Sequence, residues 1–403
     1  MVQERLPLSA LLSQTLIAFT IEFDNEFERQ MIAAGFRGIG LSLVVWSNLL
    51  RFLPDHGVEV GQLCANAFGV PERILHMLAC LERWRFVEFD ASGTSAVRKP
   101  LHAHRRTGRM VRDGYGSGRG IRRDWIVKTT SKGRCACALW PHLFELVEQR
   151  WRARFGENEI QGLRTQLQTI VEGIDLALPD AVPQASPQDE VETYRPRTSS
   201  IEGRLTLVTL LSKALIDCAV EFNREADAPL VLAANVLRCV TEDGVRVGDL
   251  AVLTGCSPET SALGWRLKPY VKVEANRNGR GKIARLSPRG LLVQRTCPRL
   301  LARIEQRWES QHGEQVVADL RASLNALFRR APDGSTRIGQ GLIPPRGVRR
   351  SGEDASALGV LTLVPAERER TREMAAQTTA FIDDPAGTLP HYPMWDMNRG
   401  FGP

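Results

Sequence analysis

Nine basic side chains crowd the stretch from Ala91 to Arg123, where the only acidic side chain is Asp113. Guanidinium and ammonium groups of this density bind phosphate oxygens. Six glycines also leave the stretch too few apolar side chains to form a core, which favours a mobile loop. We expect this arginine stretch to bind the DNA backbone; the alternative is a solvated loop without a partner. Its basic residues are Arg98, Lys99, Arg105, Arg106, Arg109, Arg112, Arg119, Arg122 and Arg123.

The segments that must position this stretch occur twice in the chain. Residues 43–72 align without a gap on residues 230–259, with twelve identities at a constant offset of 187. The apolar helix pattern before them also repeats, since residues 11–24 match residues 210–223. The tetrapeptide Glu-Gln-Arg-Trp that ends at Trp151 returns ending at Trp308. A period this long predicts a duplicated domain.

Each copy predicts three short helices followed by two strands. In the first copy the helices are expected at 41–52, 61–67 and 71–83, the third beginning with a proline that lacks an N–H to satisfy. Three such helices with a tight turn before the third form a helix-turn-helix. Alternating residues at 86–89 and 125–130 predict two strands, with the arginine stretch as the wing that joins them.

The third helix of such a unit enters the major groove of DNA. In the first copy Arg73 and His76 share one face of this helix, and an arginine there can bond a guanine edge bidentately. The alternative is a solvent-facing Arg73 that pairs with Glu72 or Glu82. The candidates on the third helix and the shorter wing of the second copy are Thr260, Ser261, Arg266, Arg277, Arg280 and Lys282.

This order of elements, with ARLSPRG at 284–290 as the end of a wing, resembles the MarR-type winged-helix regulators. Residues 261–290 and the LPHYP of 389–393 are similar to tandem MarR-like proteins of actinobacteria. The resemblance implies a mainly α fold with small β wings (α+β), in which two tandem winged helix-turn-helix domains form an intramolecular pseudo-dimer. Residues 8–29 would then pack against residues 207–225. A small apolar ligand is implied in the cleft between the terminal helices and the reading domain.

The sequence divides into four regions on this interpretation. Residues 1–178 form the first winged-helix domain with its long basic wing, and residues 179–204, punctuated by prolines, form a linker. Residues 205–330 form the second domain, which departs from the family because Pro269 ends its reading helix early. Residues 331–403 form a tail rich in proline, glycine and arginine, and we expect its aromatic end to dock on the folded part.

Composition limits the class of protein. The 403 residues are 43% apolar and 25% charged, as in ordinary soluble proteins, and the net charge is +7. Eight cysteines without a secretory pattern favour reduced thiols and a cytoplasmic location. No apolar run reaches the roughly 18 residues that a membrane span needs.

Other groupings of reactive side chains are weaker. Cys135 and Cys137, with His102 and His104, lack the spacing of a structural zinc site, so we interpret them as core thiols and loop histidines. The glycines of 114–120 are not placed between a strand and a helix, as a nucleotide-binding loop requires. No nucleophile elbow or paired-carboxylate motif is present. The sequence therefore predicts no enzyme, no metal and no cofactor.

The leading hypothesis is a sequence-specific transcriptional regulator that binds double-stranded DNA as a single chain. Different side chains on the two reading helices predict a non-palindromic operator. The alternative is a winged-helix protein-interaction module that has lost DNA binding in one or both copies.

Overall fold

The computed structural model describes residues 6–36, 41–67, 71–90, 120–182, 194–197, 203–256, 267–276, 281–332, 334–343 and 378–393. The described chain is mainly helical with two small antiparallel sheets, which confirms the predicted mixture of dominant α and minor β structure. The first half comprises α1 Leu8–Ala33, α2 Leu43–Leu50, β1 Val58–Glu59, α3 Val60–Asn66, α4 Pro71–Arg83, β2 Val87–Asp90, β3 Ile126–Thr129, α5 Ser131–Phe155 and α6 Glu157–Glu172. The second half comprises α7 Leu207–Glu225, a π-helical turn Leu232–Leu237, β4 Val245–Arg246, a 3-10 turn Val247–Asp249, α8 Leu250–Thr254, β5 Val271–Ala275, β6 Lys282–Leu286, α9 Pro288–His312, α10 Glu314–Leu327, α11 Arg337–Leu342 and α12 Pro385–Thr388.

Helix α1 lies at the centre of the molecule. Every residue from Leu8 to Phe23 is buried, so the helix is covered on all sides rather than along one stripe. It packs along α7 and against α5 and α10. The aromatic rings of Phe19 and Trp151 meet there at 5.3 Å between centroids. The apolar helix at the start of one half therefore forms its core with elements of both halves.

The two sheets share one topology. Each places its last strand in the middle, in the orders β1-β3-β2 and β4-β6-β5. In the first sheet Val58 lies opposite Val127, and in the second Val245 lies opposite Ala284. Val245 is the counterpart of Val58 at the offset of 187, and Ala284 is the counterpart of Val127 at an offset of 157. The sequence repeat is thus also a repeat of strand order and register.

The helix after each sheet begins in the same way. Thr130 and Ser287 each accept a hydrogen bond from the backbone N–H three residues later, at 3.2 and 3.1 Å. Such caps satisfy one of the N–H groups that a helix start leaves unpaired. The donors are Gly133 and Gly290, where a Cβ would overlap the carbonyl oxygens of Phe86 and Tyr270, the residues just before β2 and β5. The glycines allow α5 and α9 to start directly against their sheets.

Two buried arginines join the halves reciprocally. Arg164 pairs with Glu148 at 2.9 Å and donates to the carbonyl of Leu205 at 2.6 Å, in the other half. Arg321 pairs with the matching glutamate on α9 and donates to the carbonyl of Leu6 at 2.7 Å, in the first half. Since these contacts are equivalent at the offsets of the repeat, the halves are related by an approximate two-fold arrangement. None of the helices described is long and apolar enough to cross a membrane.

Candidate nucleic-acid interface

Helices α3 and α4 and the first sheet form one compact unit. The turn before β1 contains Gly57 at a φ of 90°, where a Cβ would meet the side chain of Ile126 at 2.8 Å. Its counterpart Gly244, at 89°, contacts Ile283 in the same way. Only glycine adopts this left-handed backbone without strain. The turn lets the chain pass close over the sheet and enter α3.

The base of the predicted wing is fixed to the start of α3. The backbone N–H of Gly61 donates to the carbonyl of Arg123 at 2.7 Å, and that of Val60 donates to Trp125 at 2.9 Å. Because β2 and β3 are antiparallel neighbours, residues 91–119 join strands that lie side by side. The described end of the arginine stretch, at Arg123, therefore lies beside the start of α3.

Four of the predicted DNA-binding side chains belong to the described part of the structure: His76, Arg122, Arg123 and Lys282. Arg73 lies on α4, and its side chain is not among those that the structure describes. The remaining predicted residues lie outside the described ranges: Arg98, Lys99, Arg105, Arg106, Arg109, Arg112, Arg119, Thr260, Ser261, Arg266, Arg277 and Arg280.

Arg122 and Arg123 are both exposed at the wing base. Arg122 makes a two-point ion pair with Asp124, at 2.9 and 2.8 Å. Asp124 therefore offers Arg122 an intramolecular partner in place of a phosphate. Lys282 is exposed at the start of β6, at the equivalent place in the other half. Two of the predicted cations are thus exposed before β3, and the third is exposed at the start of β6.

His76 is half-buried and lies beside its own helix. Its Nε2 atom is 3.8 Å from the Sγ atom of Cys80, one turn further along α4. Arg83 approaches the same sulfur at 3.8 Å. Burial raises the pKa of the Cys80 thiol, so this cysteine is not an activated nucleophile. The predicted base-reading residue His76 therefore lies beside a buried thiol that Arg83 also approaches.

Arg85 is a candidate that the sequence analysis did not identify. It is exposed and has a φ of 61°, a left-handed conformation that usually belongs to glycine. The N–H groups of Arg85 and Phe86 bond back to Glu82 and Leu81, which closes the end of α4. An arginine kept in a strained position is a functional candidate, because glycine would serve the turn better. The sequence signal that could have identified Arg85 is the absence of a glycine after the end of α4, where a left-handed residue is usual.

The partly buried carboxyl of Asp24 links α1 to the start of α2. Asp24 accepts a hydrogen bond from the N–H of Leu43, the first residue of α2, at 2.7 Å. Burial raises the pKa of this carboxyl to about 8, although the bond from Leu43 acts in the opposite direction. In the other half the side-chain oxygen of Asn223 accepts the N–H of Leu230 at 2.8 Å, so a neutral amide makes the equivalent hydrogen bond. Asp24 is a positioning residue rather than a DNA contact.

No cluster of three or more side chains suited to holding a metal occurs among the described residues. All eight cysteines are unpaired by disulfides. Neither a protein-family model nor a curated protein nor a solved structure matches the chain.

Proposed function

We propose that the protein is a MarR-type transcriptional regulator that binds double-stranded DNA through two winged helix-turn-helix units in one chain. Each half would supply one reading helix and one wing, and the shared core of α1, α7, α6 and α10 would hold the two units at a fixed separation. Neither unit is assigned a catalytic step or a cofactor.

The observation that carries this proposal is the position of the arginine stretch. It connects the neighbouring strands β2 and β3, and its last residue, Arg123, is hydrogen-bonded to the start of α3. A basic loop at this place can follow the DNA backbone or enter the minor groove while α4 approaches the major groove. The repeated strand register supports a second unit of the same design.

The test is the salt dependence of DNA affinity. A genomic fragment library selected with the intact chain supplies the operator, and fluorescence anisotropy then gives the dissociation constant at several salt concentrations. If about five wing arginines neutralise phosphates, replacing Arg98, Arg105, Arg106, Arg109 and Arg112 with glutamine makes the log–log slope less negative by about 4.5. Replacing Arg295, Arg299 and Arg303, three exposed arginines of α9 outside the wing, is the control for a general loss of positive charge. An unchanged slope in the wing variant would reject the wing as a phosphate contact.

A protein-interaction role is a second candidate for the second half. Its α8 exposes Val252 and Leu253 at 67% and 45% of their surface, where α3 of the first half has Ala65 and Asn66. On the neighbouring sheet Val273 is 54% exposed. Exposed apolar side chains of this kind favour a protein contact. Substituting Val252 and Leu253 with serine would then leave DNA affinity intact and abolish a co-purifying partner.

A small apolar ligand remains part of the proposal, and its cleft would have to be shared. The space between α1 and the π-helical turn holds the buried side chains of Leu389 and Tyr392 from the C-terminal segment. A ligand there would compete with this segment.

A further inference from the structure

Two short segments of the chain dock at equivalent places in the two halves. We name residues 178–182 the first strap and residues 389–393 the second strap; both begin with Leu-Pro. Asn48 donates to the third peptide carbonyl after the leucine of the first strap, and Asn235 does so for the second, both at 2.8 Å. These asparagines are equivalent at the offset of 187, so the fold contains one docking site in duplicate.

Each strap also contacts the opposite half. Gln14 on α1 donates to the carbonyl of Leu389 at 3.0 Å. Its counterpart Lys213 on α7 donates to the carbonyl of Leu178 at 2.5 Å. The second strap therefore lies between α1 and the π-helical turn, and the first strap lies between α7 and α2.

The two straps are held by different chemistry. The first strap carries Asp180, which pairs with Arg51 and, at 3.1 Å, with Lys213. This strap starts six residues after α6 ends, so it is confined by the chain as well. Its anchoring is ionic and local.

The second strap is recognised through its main chain. The side-chain amide of Asn235 donates to the carbonyl of Tyr392 and accepts from the N–H groups of His391 and Tyr392, at 3.0 and 3.1 Å. Ser13 donates to the carbonyl of Pro390 at 3.1 Å. Amide side chains that pair with a backbone in this way are typical of sites for extended peptides.

Two side chains anchor the second strap. Leu389 is fully buried, and Tyr392 is 2% exposed. A few buried side chains, tyrosine among the commonest, usually carry most of the affinity of an interface, and burial of the leucine adds apolar contact area. Asn235 itself belongs to the π-helical turn, a rare geometry that often marks a functional site.

We infer that the cleft between α1, the π-helical turn and α8 is a peptide-binding site whose resident ligand is the C-terminal segment of the chain itself. The site takes an uncharged, extended peptide of the form Leu-Pro-X-Tyr, read by Asn235, Gln14 and Ser13. Residues 343–388 separate the second strap from α11, so the ligand belongs to a C-terminal segment joined to the rest of the chain by a long connection, and we infer that it can be exchanged. The inference does not depend on DNA binding.

The experiment uses the full chain with a specific protease sequence inserted in residues 351–365. After cleavage, a fluorescein-labelled peptide of residues 378–393 is added, and its binding is followed by fluorescence anisotropy with unlabelled peptide as competitor. We expect saturable exchange into the cleaved protein and little binding to the uncleaved protein, because the tethered strap has an effective concentration on the order of millimolar.

Variants of the peptide and of the protein locate the contacts. Replacing Leu389 with aspartate in the peptide should abolish binding without any effect on protein folding. Asn235→Ala should weaken binding by about 10- to 100-fold, since it removes three hydrogen bonds to the peptide. Ser13→Ala should weaken it by about 5- to 10-fold.

The matched control is Ser212→Ala, the counterpart of Ser13, whose hydroxyl has no hydrogen-bond partner among the described residues. This variant should bind the peptide as the parent chain does. The inference is overturned if the cleaved protein never exchanges its segment. Equal binding of the parent and L389D peptides, or equal loss in Ser13→Ala and Ser212→Ala, would also overturn it.

Discussion

The replacement of Asp24 with asparagine tests the carboxyl of α1 that accepts the N–H of Leu43 at the start of α2. Asparagine keeps an oxygen to accept the N–H of Leu43 and removes the titrating group, as Asn223 does in the other half. The reverse change, Asn223→Asp, should create a second buried carboxyl. The two variants therefore serve as controls for each other.

The direction of the effect follows from proton linkage. The Asp24 pKa of about 8 in the folded state exceeds its ordinary value of 3.8, so the folded protein holds an extra proton between these pH values. Below pH 3.8 the group is protonated in both states and does not reduce stability. The free energy of unfolding then falls as the pH rises, and the loss due to this group is complete above about pH 8. Each pH unit in this window costs up to about 1.4 kcal/mol, so the cost at pH 7 is at most about 4 kcal/mol.

Urea unfolding followed by tryptophan fluorescence from pH 5.5 to 8.5 measures this dependence. Relative to the parent chain, Asp24→Asn should gain stability steadily with rising pH, and Asn223→Asp should lose it. The slope is the test, because the new buried amide NH₂ changes stability equally at every pH. Parallel curves for the parent and Asp24→Asn would show that Asp24 does not titrate in this window, and the reasoning from its burial would be wrong.

Other substitutions test the joint between the halves and the end of α4. Arg321→Met removes both the ion pair to the half-buried Glu305 and the hydrogen bond to Leu6, and it should cost about 3 kcal/mol in urea unfolding. Arg164→Met should cost less, because Glu148 keeps its ion pair with Arg152. The exposed pair of Arg295 with Glu242 is the control, and Arg295→Met should cost less than about 1 kcal/mol; equal losses would contradict the assigned role of burial. Arg85→Gly should raise stability by about 1 kcal/mol by relieving the left-handed strain, whereas Arg85→Ala should not. Thermal unfolding measures both, and a destabilised glycine variant would refute the strain.

The sequence predicts local elements well where the signals are local. Helix α4 runs from Pro71 to Arg83 as predicted, because a proline at its start and a regular apolar spacing both act within the segment. The predicted strands also lie within one or two residues of those observed. The repeated Glu-Gln-Arg-Trp also falls at equivalent places, since Trp151 and Trp308 are both buried.

Features that depend on distant partners were not visible in the sequence. The indole of Trp151 donates to Glu22 at 3.0 Å, and no spacing rule connects residues so far apart. Residues 179–182 are packed beside Asn48, although they belong to the stretch 179–204, whose prolines and polar residues are typical of a linker. The π-helical turn at Leu232–Leu237 has the apolar pattern of an ordinary helix, so its altered hydrogen bonding could not be predicted.

The predicted interface is the least tested part. Of its candidates, the structure locates His76 and the cations Arg122, Arg123 and Lys282, while the arginine stretch lies largely outside the described residues. The role of Asp24 had a weak signal in the repeat, where an aspartate in one copy aligns with an asparagine in the other. DNA binding therefore stays a prediction.

The reciprocal contacts of Arg164 and Arg321 connect parts of a single polypeptide. Their assembly is consequently a first-order event, unlike the association of separate subunits, whose extent depends on protein concentration. Dilution cannot separate the two halves, because they remain joined by the chain. Each half is therefore free to accumulate its own substitutions while the pairing between them is retained.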